Sequence, residues 1–214
     1  MNEHPWKILN QRVKEEPYHV VPGVLSLLNG YWHKLKFFLS GKRVKIGKCF
    51  RVYGKFRVIG PGQVEIGDHC LFECSILGPA VFYTEFPDAV IRLGDHVTLN
   101  GLVMQCYQNI AIGDYCSLAD AFITDSQNHH LSADRRFLSN RTIPKAPVVL
   151  SRNIWVCSKV VILPGVLIGE NSVIGACSLV RSDVAANSFY SGNPARFIQK
   201  IPPSNHEKFK PAKS

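Results

Sequence analysis

A six-residue period runs through this chain. Leu150, Val156, Ile162, Ile168, Ile174 and Val180 stand six apart without a slip. Four residues after each come Ile154, Val160, Val166, Ser172, Ser178 and Val184, all of them small or β-branched. The same grammar returns upstream in Ile46-Gly47, Ile66-Gly67-Asp68, Leu93-Gly94-Asp95 and Ile112-Gly113-Asp114. Such a period fits neither a helix, at about 3.6 residues, nor a simple strand, at about 2. It describes one short strand and one tight turn per unit. Three units close a triangular coil, and stacked coils pair their strands. The aliphatic residue then points inward. The slot four residues on fills a corner that admits compact side chains, Cys70 and Cys116 among them, and Gly and Asp supply the turns.

Composition sets the outer bounds. Of 214 residues, 46% are hydrophobic and 19% charged, enough for a sizeable core and too apolar for a disordered chain. No apolar run reaches the roughly 18 residues of a membrane span, and the opening MNEHPWKILN lacks the apolar stretch of a secretory signal. A soluble, cytoplasmic protein is the expectation. The net charge of +9 favours phosphate-bearing ligands or anionic lipid. Nucleic acid is not expected, because no stacking aromatic motif accompanies the basic residues. The seven cysteines form no CxxC pair, so reduced core cysteines are expected, and neither a zinc knuckle nor a disulfide framework.

The pattern divides the chain into a leader over 1–43, a repeat domain over 44–201 and a polar tail over 202–214. In the leader, Val24, Leu25, Leu28, Tyr31, Trp32, Leu35, Phe38 and Leu39 recur at steps of three and four, which predicts a helix with one apolar face, stopped near Gly41. Two readings stay open. The helix caps the first coil, or residues 24–45, with Lys34, Lys36, Lys42, Arg43 and Lys45, rest on the inner, anionic face of a membrane. The repeat lapses twice, over 75–92 and over 123–148 (the second holding His129-His130), and extruded loops are where sites are built.

The C-terminal half contains Asn153-Ile154-Trp155, Leu163-Pro164-Gly165-Val166, Ile174-Gly175-Ala176 and Ser191-Gly192-Asn193-Pro194-Ala195-Arg196. With the hexads, these resemble the hexapeptide-repeat acyltransferase superfamily, in particular the O-acetyltransferases of maltose, galactosides, Nod factors and bacterial polysaccharides. The resemblance covers roughly residues 46–201 and implies an all-β, left-handed parallel β-helix; general crossover rules would favour the right hand. It further implies a homotrimer that binds acetyl-CoA between neighbouring copies and acetylates a sugar or glycan acceptor, with no metal required.

In that superfamily a loop histidine takes the proton of the acceptor hydroxyl, a task suited to imidazole, which titrates near ~6.5. The segment Asp125-Ser126-Gln127-Asn128-His129 matches, making His129 the base, with His130 as the alternative register and an acceptor contact. Asp125 either holds the catalytic tautomer or is a surface carboxylate. Asn100 matches the acceptor-binding Asn, but no acidic residue follows it, as Gln105, Cys106 and Gln108 occupy that region. For acetyl-CoA, the resemblance implies Ser158 and Ala176 along the pantetheine arm with Trp155 as a wall. Arg181 and Ser182 would lie near the nucleotide, and Arg196 on phosphate. Cys157 stands where Gly is common and is read as packing. Three other functions compete: N-acetylation of a nucleotide-linked amino sugar, a zinc carbonic anhydrase drawing on His69, His96, His129 or His130, and a non-catalytic scaffold.

Overall fold

A computed structural model describes residues 20–202; the opening decapeptide and the tail beyond Pro202 lie outside the described residues. Helix α1 (Val20–Leu39) leads into six stacked coils. The first coil is β1 (Val44–Ile46), β2 (Arg51–Gly54) and β3 (Phe56–Ile59), and the second is β4 (Gln63–Ile66), β5 (Leu71–Cys74) and β6 (Ala80–Thr84). The third has β7 (Val90–Leu93) and β8 (Thr98–Cys106), and the fourth β9 (Asn109–Ile112) and β10 (Ser117–Thr124). Both β8 and β10 run through a corner and serve two faces: β8 pairs β5 through Thr98–Leu99 and β6 through Leu102–Cys106. The fifth coil is β11 (Val148–Leu150), β12 (Trp155–Val156) and β13 (Val161–Ile162), and the sixth is β14 (Leu167–Ile168), β15 (Val173–Ile174) and β16 (Leu179–Val180). Strand β17 (Ser188–Ser191) continues the stack in parallel, and β18 (Arg196–Lys200) folds back on it antiparallel.

This parallel β-solenoid places every aliphatic of the C-terminal period inside. Leu150, Val156, Ile162, Ile168, Ile174 and Val180 are at most 1% exposed, and the corner slots from Ile154 to Val184 are buried too. Each such Ile or Leu contributes roughly 1.5–3 kcal/mol by leaving water. The Gly-Asp turns do more than reverse the chain. Asp68 accepts the Lys48 amide at 2.7 Å, Asp95 the Asp68 amide at 2.7 Å, and Asp114 the Asp95 amide at 2.8 Å. A Cβ on Gly47, Gly67 or Gly94 would strike the carboxylate of the following coil, which is why glycine precedes each rung.

The helix caps the first coil, with a face other than the expected one. Ser26, Gly30, His33 and Phe37 are buried against it, whereas Leu28 and Trp32 are each 59% exposed and Phe38 81%. Packing is decided by closeness of approach: a Cβ on Gly30 would collide with the Phe50 carbonyl oxygen. Phe37 meets Phe56 edge-on at 5.7 Å, and Phe56 continues the aromatic core to Phe72 and Phe82. Donors from this region satisfy the outermost carbonyls: Asn29 on Val52 at 3.0 Å, Lys42 on Val58 at 2.9 Å, and Lys34 on Gly47. The helix ends as its glycine requires, with Gly41 at φ 66°.

The first lapse of the repeat is a loop only in part, over 75–79 and 85–89. Residues Ala80–Thr84 form β6 in register with β3, from Phe56↔Ala80 to Ile59↔Tyr83. The second lapse is extruded, but only beyond Ser126, because Phe122–Thr124 still belong to β10. Four cysteines are buried, Cys157 is half-buried, and Cys49 and Cys177 are exposed at positive-φ turns, so the expectation of core cysteines fails at those two.

Candidate active site

The extruded loop is pinched at its neck. Ala146 donates its amide to the Asp125 carbonyl at 2.9 Å, Gln127 donates to the Pro144 carbonyl at 3.3 Å, and Ser126 bridges Lys145. Asp125 is 0% exposed, so the surface-carboxylate reading is wrong. Nor does its carboxylate turn to His129. Oδ1 accepts the Tyr107 amide, and Oδ2 accepts the Gln108 and Asn109 amides, all at 2.7 Å. The reason is topological: Asp125 directly follows β10, and its inward side chain meets the backbone turn of the preceding coil, whose amides have no strand partner. Burial, and then this carboxylate, pushes the Cys106 thiol far up.

The loop leans on the segment of the first lapse. Phe86, Tyr107 and Ile143 form a small buried cluster, with the Phe86 and Tyr107 rings 5.8 Å apart. Arg141 and Lys145 lie over the Phe86 ring at 5.2 and 5.0 Å, and Asn140 reaches Glu85 at 3.4 Å. The two lapses thus build one platform. Tyr83, which donates to Glu85, has its phenol pushed up to about 12 by that bond, with burial adding to it.

The two histidines differ in their surroundings. His130 Nε2 lies 3.1 Å from the Ser139 carbonyl and 3.1 Å from Thr142 Oγ1, which ties it to the loop. His129 is exposed and lines a cavity of about 530 Å³ with Arg135, Arg136, Leu138 and Asn140. The two arginines escaped the sequence reading. Their adjacency inside the polar lapse was the available signal.

Asn100 sits on β8 before Gly101, which has φ 60°, opposite Ala119 of β10; its Oδ1 is buried and lacks a hydrogen-bond partner. Ser158 and Ala176 share one column, each two residues beyond the Val156↔Ile174 pair. The SGNPAR hairpin is bonded to the end of that column: Gly192 donates to Ser178 Oγ at 3.0 Å and Ala195 to the Leu179 carbonyl at 2.8 Å. Arg196 therefore stands beside it, exposed, one guanidinium nitrogen on the Ala195 carbonyl at 3.2 Å. Trp155, 55% exposed, projects from β12 on the adjoining face. Arg181 and Ser182 are exposed at the far end of β16, a corner away from Ala176. Burial pushes the Cys157 thiol up, against ready thiolate formation.

His69 and His96 stack on each other at 5.0 Å, and His96 on Tyr115 at 4.8 Å, along one outer corner. Among the described residues, no group of three or more His, Cys, Asp or Glu converges as a metal site would.

No family model matches the chain. The chain is 30% identical over 146 residues to the galactoside O-acetyltransferase of Lactococcus lactis subsp. lactis (strain IL1403), covering 68% of this chain and 67% of that one. It is 32% identical over 123 residues to the galactoside O-acetyltransferase of Escherichia coli (strain K12), spanning 59% of its length. A hexapeptide-repeat containing acetyltransferase of Vibrio cholerae O1 biovar eltor, solved with acetyl coenzyme A, superposes with TM-score 0.50 at 32% identity, covering 57% of this chain and 66% of that chain. AntD, an N-acyltransferase from Bacillus cereus, superposes with TM-score 0.64 over 79% of this chain and 88% of its own, at 17% identity, a likeness of fold alone. Period, coil, corner columns and relatives agree: the chain belongs to the hexapeptide-repeat acetyltransferase family.

Proposed function

We propose that the protein transfers the acetyl group of acetyl-CoA to a sugar hydroxyl of a bacterial glycan or its precursor, as a homotrimer, with His129 as general base. The observation that carries this is the contrast between the histidines: His129 faces a cavity, whereas His130 is held by Ser139 and Thr142. The acceptor hydroxyl gives its proton to the His129 imidazole while its oxygen forms a bond to the thioester carbonyl carbon. The C–S bond breaks as the tetrahedral intermediate collapses, and the sulfur leaves with the proton as CoA thiol. No acyl-enzyme is needed. The similarity to two galactoside O-acetyltransferases favours oxygen over nitrogen as the acceptor atom.

Asn100 Oδ1, buried without a donor, suits a hydroxyl of the acceptor. Arg135 and Arg136 beside His129 suit an acceptor carrying phosphate or carboxylate. The small residues Ser158 and Ala176 leave room for a pantetheine arm beside the backbone, and Arg196 can fork onto a CoA phosphate. Leu131 and Phe137, 92% and 88% exposed on the loop, supply apolar contacts for a neighbouring copy. The test is thiol release from acetyl-CoA across neutral glycans, phosphate- or carboxylate-bearing glycans and amino sugars. Release with hydroxyl acceptors supports the reading; release with amines alone overturns it.

A further inference from the structure

The whole excess charge of the protein sits in one stretch. Residues 20–64 contain nine Lys and Arg and no Asp or Glu, so they carry +9, while the other 169 residues hold sixteen of each sign. That stretch is α1 and the first coil, one end of the solenoid. Lys36, Arg43, Lys45, Lys48, Arg51 and Lys55 are exposed there.

The same end carries an uncovered apolar face. With about 100° per residue in a helix, the buried set Ser26, Gly30, His33 and Phe37 occupies one side of α1. The opposite side presents Val21, Leu25, Leu28, Trp32, Leu35 and Leu39, which are 48–72% exposed. Because the buried side seals the first coil, this opposite side looks outward from the end of the stack. Lys34 and Lys36 fall on the two flanks between the sides. A bilayer interface takes an apolar stripe bordered by lysines with an aromatic at the margin.

We propose that this end docks on an anionic lipid surface, with α1 lying in the interfacial plane and the first-coil cations over the head groups. Charge complementarity selects the occupant: stacked end to end, a second copy of this chain would bring the same positive end against it, in which, among the described residues, only Lys45 is ion-paired, with Glu65 at 4.0 Å. The proposal rests on the fold and the charge distribution and is independent of the acetyl-transfer reading.

The test is co-sedimentation of the full chain with phosphatidylglycerol-rich vesicles and with pure phosphatidylcholine vesicles, at low and high salt. Binding at least about tenfold tighter to the anionic vesicles, weakened by salt, is expected. Leu28→Glu with Trp32→Glu should abolish it while leaving oligomeric mass and the far-UV circular dichroism spectrum intact. Lys36→Glu with Lys45→Glu should weaken anionic binding alone. No binding to anionic vesicles, equal binding to both lipids, or a change of oligomeric mass in the Leu28→Glu, Trp32→Glu protein would overturn the proposal.

Discussion

The Asp125 carboxylate accepts the amide of Asn109 at 2.7 Å across sixteen residues of chain, and the Gln108 amide shares the same oxygen. A site loop is thereby fastened to the coil beneath it. Asp125→Asn turns an acceptor into a donor facing amide donors, so it should lower the unfolding free energy by roughly 1–3 kcal/mol. Urea denaturation measures this, and hydrogen exchange should show the loop neck opening first.

His129→Ala should lower kcat by ~10²–10⁴ in a protein that stays folded. His130→Ala, which removes a tie within the loop, should cost less. Steady-state kinetics of both variants check the assignment, and near-wild-type turnover of His129→Ala would remove that residue from the chemistry.

His33 is buried on the inner face of α1, and that burial, reinforced by the nearby Lys36 charge, lowers its pKa below the ordinary value. The folded protein therefore resists a proton that the unfolded chain accepts. The stability that neutral His33 permits is complete above the unfolded value of about 6.5 and declines as the pH falls through it. Hydrogen-exchange protection factors over residues 20–39, which divide out the intrinsic slowing of exchange in acid, should fall more between pH 7.5 and 5.5 than they do in His33→Phe.

Direct transfer predicts that Cys157 is never acetylated. Its thiol, pushed up by burial, should leave the intact mass of the chain unchanged after mixing with acetyl-CoA alone. An added acetyl group at Cys157 would replace the direct mechanism with a covalent one.

The core was legible because its rule is periodic: aliphatic residues six apart can satisfy only a stacked coil, and the slots from Leu150 to Val184 lie inside. The packed face of the helix was not legible because hydrophobicity marks an apolar stripe without marking where a backbone can approach. Gly30 wins the contact by letting the backbone approach Phe50, which leaves the apolar stripe outside. The clamping role of Asp125 was hidden for the converse reason, since a polar residue four before a histidine suggests a side-chain partner. The amides it serves, at 107–109, are distant in sequence. The Phe86 platform required knowing that the two lapses adjoin, which only the stacking of coils reveals.

Both ends of the stack are closed, by Asn29, Lys34 and Lys42 on outer carbonyls at one and by the antiparallel β18 at the other. A repeat of this kind has no intrinsic reason to stop growing. Without α1, the bare first coil would template the strands of another molecule, and the enzyme would be a fibre.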